Sequence, residues 1–179
     1  MRRFTMLTIC LLALASLMAT TAWAQTSGAH YQHGSVSAAI QSNGDLLVSW
    51  VEAGLGNLDV DYSLTAGDAA ATPPIVGVKA TYFCVTNSGG IPNANNKHTL
   101  NTTVSTAGTL KPKNGKVIGA LPLPAPPAPV SAPPTCGNGQ TLALQSIAWF
   151  DVVLTDTSNG VTTDVTKGTF SITLFPAPK

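Results

Sequence analysis

Cysteine placement constrains this chain more than any other feature. Cys10 sits inside an apolar run near the start, and Cys84 and Cys136 are the only other cysteines. The opening Met1-Arg2-Arg3, the apolar stretch from Leu7 to Met18 and the small residues of Ala22-Trp23-Ala24 before Gln25 have the layout of a secretory signal peptide. The expected division is a leader over 1–24 and one domain over 25–179. The apolar run is too short for a comfortable membrane span, so no stable membrane insertion is expected after cleavage. No small-residue box precedes Cys10, which argues against lipidation there.

Export removes Cys10 and leaves two cysteines in an oxidising compartment, so only one pairing is possible. A Cys84–Cys136 bridge joins positions 52 apart. Closing a loop of that size is worth about 4 kcal/mol on a chain-entropy estimate. There is no C-x-x-C and no flanking basic residue to activate a thiol, so the bridge reads as structural rather than redox-active.

The expected mature chain has about 155 residues, enough for one domain with a real core. The leader carries both arginines, leaving 7 Lys against 8 Asp and Glu. A chain without Arg lacks the forked donors that grip phosphate and guanine, so nucleic acid is not an expected partner. Nor does it carry the basic clusters that acidic lipid surfaces attract.

Beyond the leader, a periodicity of two dominates. Residues 25–35 are small and polar and read as a loose arm. His30 and His33 give an H-x-x-H spacing, but zinc needs a further ligand, so they read as solvated side chains. Strands are expected over Val36–Ile40 and Leu46–Val51, separated by the tight-turn sequence Ser42-Asn43-Gly44-Asp45. Leu58, Val60, Tyr62 and Leu64 alternate with Asp59, Asp61 and Ser63, the pattern of a sheet with one wet face. Val76, Val78, Ala80, Tyr82 and Cys84 share the next strand face.

Leu100–Thr106 and Lys116–Leu121 come next, joined through Lys111-Pro112-Lys113-Asn114-Gly115. Residues 122–134 hold 7 of the 13 prolines and read as a stiff polyproline crossover between sheets rather than a strand. Leu142–Leu154 is the most apolar stretch after the leader. It reads as a central strand with a bulge or bend, succeeded by Val161–Thr166 and Thr169–Phe175. The expected fold is an all-β antiparallel sandwich, immunoglobulin-like or jelly-roll-like, with about eight or nine strands and one disulfide.

Ala80-Thr81-Tyr82-Phe83-Cys84 resembles the Y-x-C stretch of an immunoglobulin variable domain. No cysteine lies between the leader and Trp50, so the resemblance implies only a two-sheet sandwich. A wider pattern resembles a group of small secreted bacterial β-rich proteins of unknown function. It runs through Trp50, Glu52-Ala53-Gly54-Leu55-Gly56, Tyr82, Cys84, Asn87, Gly89-Gly90, Asn96-Lys97, Cys136 and Gly139-Gln140. That resemblance implies export and a single bridge, and no activity.

No G-x-S-x-G or H-E-x-x-H occurs, and His98 reads as a loop residue. The best acidic group is Glu52, Asp59 and Asp61. With carbonyls of the adjacent glycine turn it could hold Ca²⁺, and otherwise it could act as a glycosidase-like acid pair or simply be a solvated face. The second candidate is the loop with Asn87, Asn93, Asn95, Asn96 and Lys97, whose amides suit adaptable hydrogen bonding beside a rigid disulfide. Asn101-Thr102-Thr103 is a glycosylation sequon. No catalytic residue and no obligatory cofactor are expected. The expected function is a secreted, non-catalytic binding or structural protein meeting an extracellular protein or glycan. The alternatives are a small secreted hydrolase, or an inhibitor presenting the 87–97 loop.

Overall fold

The structure, a computed structural model, describes residues 28–86, 88–90, 97–128, 136–165 and 168–174. Every strand pairing among them is antiparallel, and no described residue is helical.

One sheet is built on β3 (Leu46–Ala53). Its Leu46, Val48 and Trp50 point inward at every second residue and are fully buried. On one edge β3 pairs with β9 (Lys116–Leu123). On the other it pairs first with β2 (Ser37–Ile40) and then with β1 (His30–Tyr31), whose Tyr31 stands opposite Glu52. The segment expected to be a loose arm is therefore tied to the sheet from His30 onward. Gln32 N–H donates to the Val51 carbonyl at 2.8 Å, and the Ser35 hydroxyl donates to the same oxygen at 3.0 Å.

The rest of the chain forms two sheets with matching strand orders. One runs β13 (Phe170–Thr173), β10 (Gln140–Trp149), β6 (Val78–Thr86), β7 (Lys97–Thr102). The other runs β12 (Val161–Asp164), β11 (Val152–Asp156), β4 (Val60–Asp68), β8 (Val104–Leu110), with the short β5 (Ile75–Val76) on the end of β4. Because β10 leads into β11, β7 into β8, β4 into β6 and β12 into β13, the pair is one set of four ribbons bent across a common corner. Backbone bonds stitch the corner: Gly67 N–H to the Asp151 carbonyl at 3.1 Å, Phe150 N–H to the Gly77 carbonyl at 2.8 Å, and Gly77 N–H to the Thr102 carbonyl at 3.1 Å. Asp151 takes the turn with φ 44°. A Cβ on Gly77 would run into the backbone of Ala66 and Gly67, so only glycine lets this ribbon fold so closely on itself there.

The bend also explains the strand count. Among the described residues thirteen strands stand where eight or nine were expected, because two expected strands each divide at the corner and β1 and β5 are too short to leave a pattern. The bulge expected in the apolar strand lies between Leu144 and Ser146, and its bend lies at Phe150–Asp151. Two expected inward residues sit outside the core. Leu58 precedes β4 and is exposed, and Val76 lies on the exposed β5.

The β3 sheet packs against the bent ribbons over Trp50, Tyr62, Leu64, Ile147, Trp149 and Leu154. Trp50 and Tyr62 rings meet at 4.9 Å and 54°, a tilted contact. The proline run starts inside β9, where Pro122 sits on a strand paired on one side only. It then crosses toward β10, held by Ala125 N–H on Asp45 Oδ1 at 2.8 Å and by the Tyr82 hydroxyl donating to the Pro126 carbonyl. The Cys84–Cys136 disulfide links β6 to the residues entering β10, with Cα atoms 5.5 Å apart.

Candidate functional site

Strand parity decides where the acids go. Continuing the inward rhythm of Leu46, Val48 and Trp50, the next inward position on β3 is Glu52, and it is fully buried. On β11 the inward positions are Val152, Leu154 and Asp156, and Asp156 is fully buried as well. The two carboxyls meet inside the sandwich with Tyr31 from β1 and Tyr62 from β4. The Tyr62 hydroxyl donates to Glu52 Oε2 at 2.8 Å. Asp156 is held by its own turn. Its Oδ1 accepts the backbone N–H groups of Ser158 at 2.8 Å and Asn159 at 2.9 Å, and its Oδ2 accepts the Asn159 side-chain amide at 2.6 Å.

Glu52 has less support. Its Oε1, the Tyr31 hydroxyl and the Trp50 indole N–H are buried with no hydrogen-bond partner among the described residues. Burial is the main reason that the Glu52 carboxyl is pushed up to about 7. The Tyr62 hydroxyl opposes that rise, and the Asp156 charge adds to it. Burial and then the Glu52 and Asp156 charges raise Tyr31, and burial and then the bond to Glu52 raise Tyr62. Two carboxyls in one dry space cannot both be charged cheaply, so Glu52 keeps its proton to a higher pH than a solvated glutamate does.

The three acids singled out from the sequence are divided by the fold. Glu52 faces the core, whereas Asp59 and Asp61 are exposed. Asp61 Oδ1 accepts the Thr109 hydroxyl at 2.5 Å, and its backbone N–H donates to Ser158 Oγ at 2.9 Å, so it ties β4 to β8 and to the turn after β11. Among the described residues no group of three His, Cys, Asp or Glu is placed to hold a metal ion. Asn87, Asn93, Asn95 and Asn96 lie outside the described residues, and Lys97 opens β7 opposite Phe83. His30 is exposed with Nδ1 2.6 Å from the Gly28 carbonyl, and His98 lies half-buried on β7.

Next to the acid pair is an open groove of about 650 Å³ that sequence reasoning missed. It lies where β1 and β2 face β12 and β13 across the edge of the sandwich. One wall is the β1–β2 connection with Tyr31, Gln32 and His33. The other is the end of β12 and the start of β13, with Thr163, Asp164 and Phe170. The residues forming it are about 130 positions apart, so no local motif announces it. Tyr31 belongs to both features: it lines the groove and its hydroxyl is buried at the carboxyls. Glu52 and Asp156 do not line the groove, and both are shut off from solvent. No protein-family model matches the sequence, and comparison with curated proteins and with solved structures returns no significant match.

Proposed function

We propose that this is an exported, non-catalytic binding protein that takes a neutral, hydroxyl-rich ligand, a carbohydrate, in the groove between the β1–β2 and β12–β13 connections. The observation that carries the reading is the separation of the groove from the acid pair. The cavity open to solvent is lined by Tyr31, Phe170 and several oxygen-bearing side chains, while Glu52 and Asp156, which Tyr31 also meets, are shut off from solvent. Tyr31 and Phe170 offer apolar surface on which a sugar ring can stack. Gln32, Thr163, Asp164 and Thr169 offer hydroxyl, amide and carboxylate groups for its oxygens. Its volume falls within the range of small-ligand sites, about 300–1,000 Å³.

A ligand that binds only the folded protein raises its melting temperature. A thermal-shift screen of the oxidised protein against neutral polysaccharides and cell-wall fragments is expected to find one that stabilises it. Phe170→Ala is then expected to remove that shift while the unliganded protein still melts cooperatively. A screen with no responding glycan, or a shift that Phe170→Ala leaves intact, contradicts the assignment.

A further inference from the structure

We infer that β1 is a proton-linked latch: it stays closed over Glu52 and Asp156 while the pair keeps one proton, and it lifts and widens the groove when both carboxyls are charged. The geometry comes first. β1 contributes only two residues to the sheet, and they pair with Ala53 and Glu52. It is the lightest element over the pair. Among the described residues, the titratable groups that face Glu52 are Tyr31 from β1, Tyr62 from β4 and Asp156 at the end of β11, and none of them is a cation.

In the closed form Glu52 Oε1 has no donor among the described residues. A proton on that carboxyl can bridge toward Asp156. Without it, two carboxylates share a dry space with the Tyr62 hydroxyl as the donor bonded to Glu52. Relief requires water, and the groove that Tyr31 lines is open to it. Lifting Tyr31 and its two backbone pairings hydrates the pair and widens the groove in one movement.

Opening releases one proton over the range between an ordinary glutamate value and the value that Glu52 has when buried, 4.5 to about 7. The opening equilibrium should therefore rise about tenfold per pH unit from pH 5 to pH 7 and level off above that. Hydrogen exchange, corrected for the intrinsic pH dependence of amide exchange, reads this directly. The inference goes beyond the binding reading and does not depend on it, because no ligand enters the measurement.

The expected result is a protection factor for residues 30–35 that falls about tenfold per unit from pH 5 to pH 7, while the β10–β6 ladder keeps its own. Glu52→Gln, which retains His33 and every other titratable group lining the groove, is expected to abolish the slope. Three results would overturn the latch: a flat wild-type profile, an equal fall in β10, or an undiminished slope in the Gln variant. Should that variant not fold, the wild-type comparison of β1 with β10 decides alone.

Discussion

Glu52 is the residue on which pH acts. Burial and the neighbouring Asp156 lift its carboxyl from 4.5 to about 7. The folded protein thus holds a proton that the unfolded chain has already lost between those values. Its contribution to stability is complete below pH 4.5, is lost as pH rises through the window, and stays lost above about 7. At about 1.4 kcal/mol per unit, the loss is on the order of 3 kcal/mol. Urea unfolding at pH 5 and pH 8 should show a difference of that order in the wild type beyond whatever Glu52→Gln shows, and an identical pH dependence in the two proteins would refute it. Tyr62→Phe is expected to move the Glu52 midpoint further up in a carboxyl NMR titration, because the hydroxyl it removes is what holds the value down. This acid pair was half legible in the sequence. The rhythm of Leu46, Val48 and Trp50, carried one step further, points Glu52 inward, and Leu154 does the same for Asp156. The obstacle was chemical expectation: a carboxylate next to a glycine turn reads as solvated, since acids are almost never fully buried unless paired. The partner lies 104 positions away and no spacing rule connects the two.

At the scale of elements, the corner where four ribbons bend is the feature that local pattern hides. Val78 to Cys84 and Val60 to Leu64 were visible as alternating strands, and the apolar run to Leu154 announced its own bulge. The break at Thr103 was not visible, because a single half-buried threonine between β7 and β8 leaves the alternation around it intact. Nor was β1, whose order comes from pairing with β3 rather than from its own two residues. The corner depends on Gly77, which lies against the Ala66–Gly67 backbone from the same ribbon. Gly77→Ala must push those backbones apart and strain the bonds to Thr102 and from Phe150. A loss of roughly 2–4 kcal/mol in chemical denaturation is expected, of the size seen when tight packing is overfilled. Gly137→Ala, where a Cβ meets nothing closer than 3.9 Å, is the matched control and should stay within about 0.5 kcal/mol. Equal effects at the two sites would mean that the corner is not held by close approach.

Across the whole molecule, the disulfide and the proline run act as one device. β9 ends the β3 sheet, the described part of the proline run reaches Tyr82 of β6 at Pro126, residues 129–135 lie outside the described residues, and Cys136 is anchored to β6 just before β10 begins. The bridge could be assigned by counting, since cysteine chemistry needs no knowledge of the fold, and the crossover could be assigned from proline's missing donor. What neither could give was which sheets they join. Cys84 is buried beside β10, while Cys136 is only half-buried. Cys136→Ser is therefore the cleaner probe: it leaves the Cys84 thiol to behave as a small apolar group, whereas Cys84→Ser also buries a hydroxyl. Losing the bridge should cost about 2–5 kcal/mol. At about 2–4 °C per kcal/mol for a domain of this size, the melting temperature should fall by roughly 4–20 °C. Dithiothreitol should bring the wild type down to the level of the variant and leave the variant unmoved. If reduction leaves the wild-type melting temperature unchanged, the proline crossover and its contacts to Asp45 and Tyr82 already fix the chain's return, and the bridge adds nothing to stability.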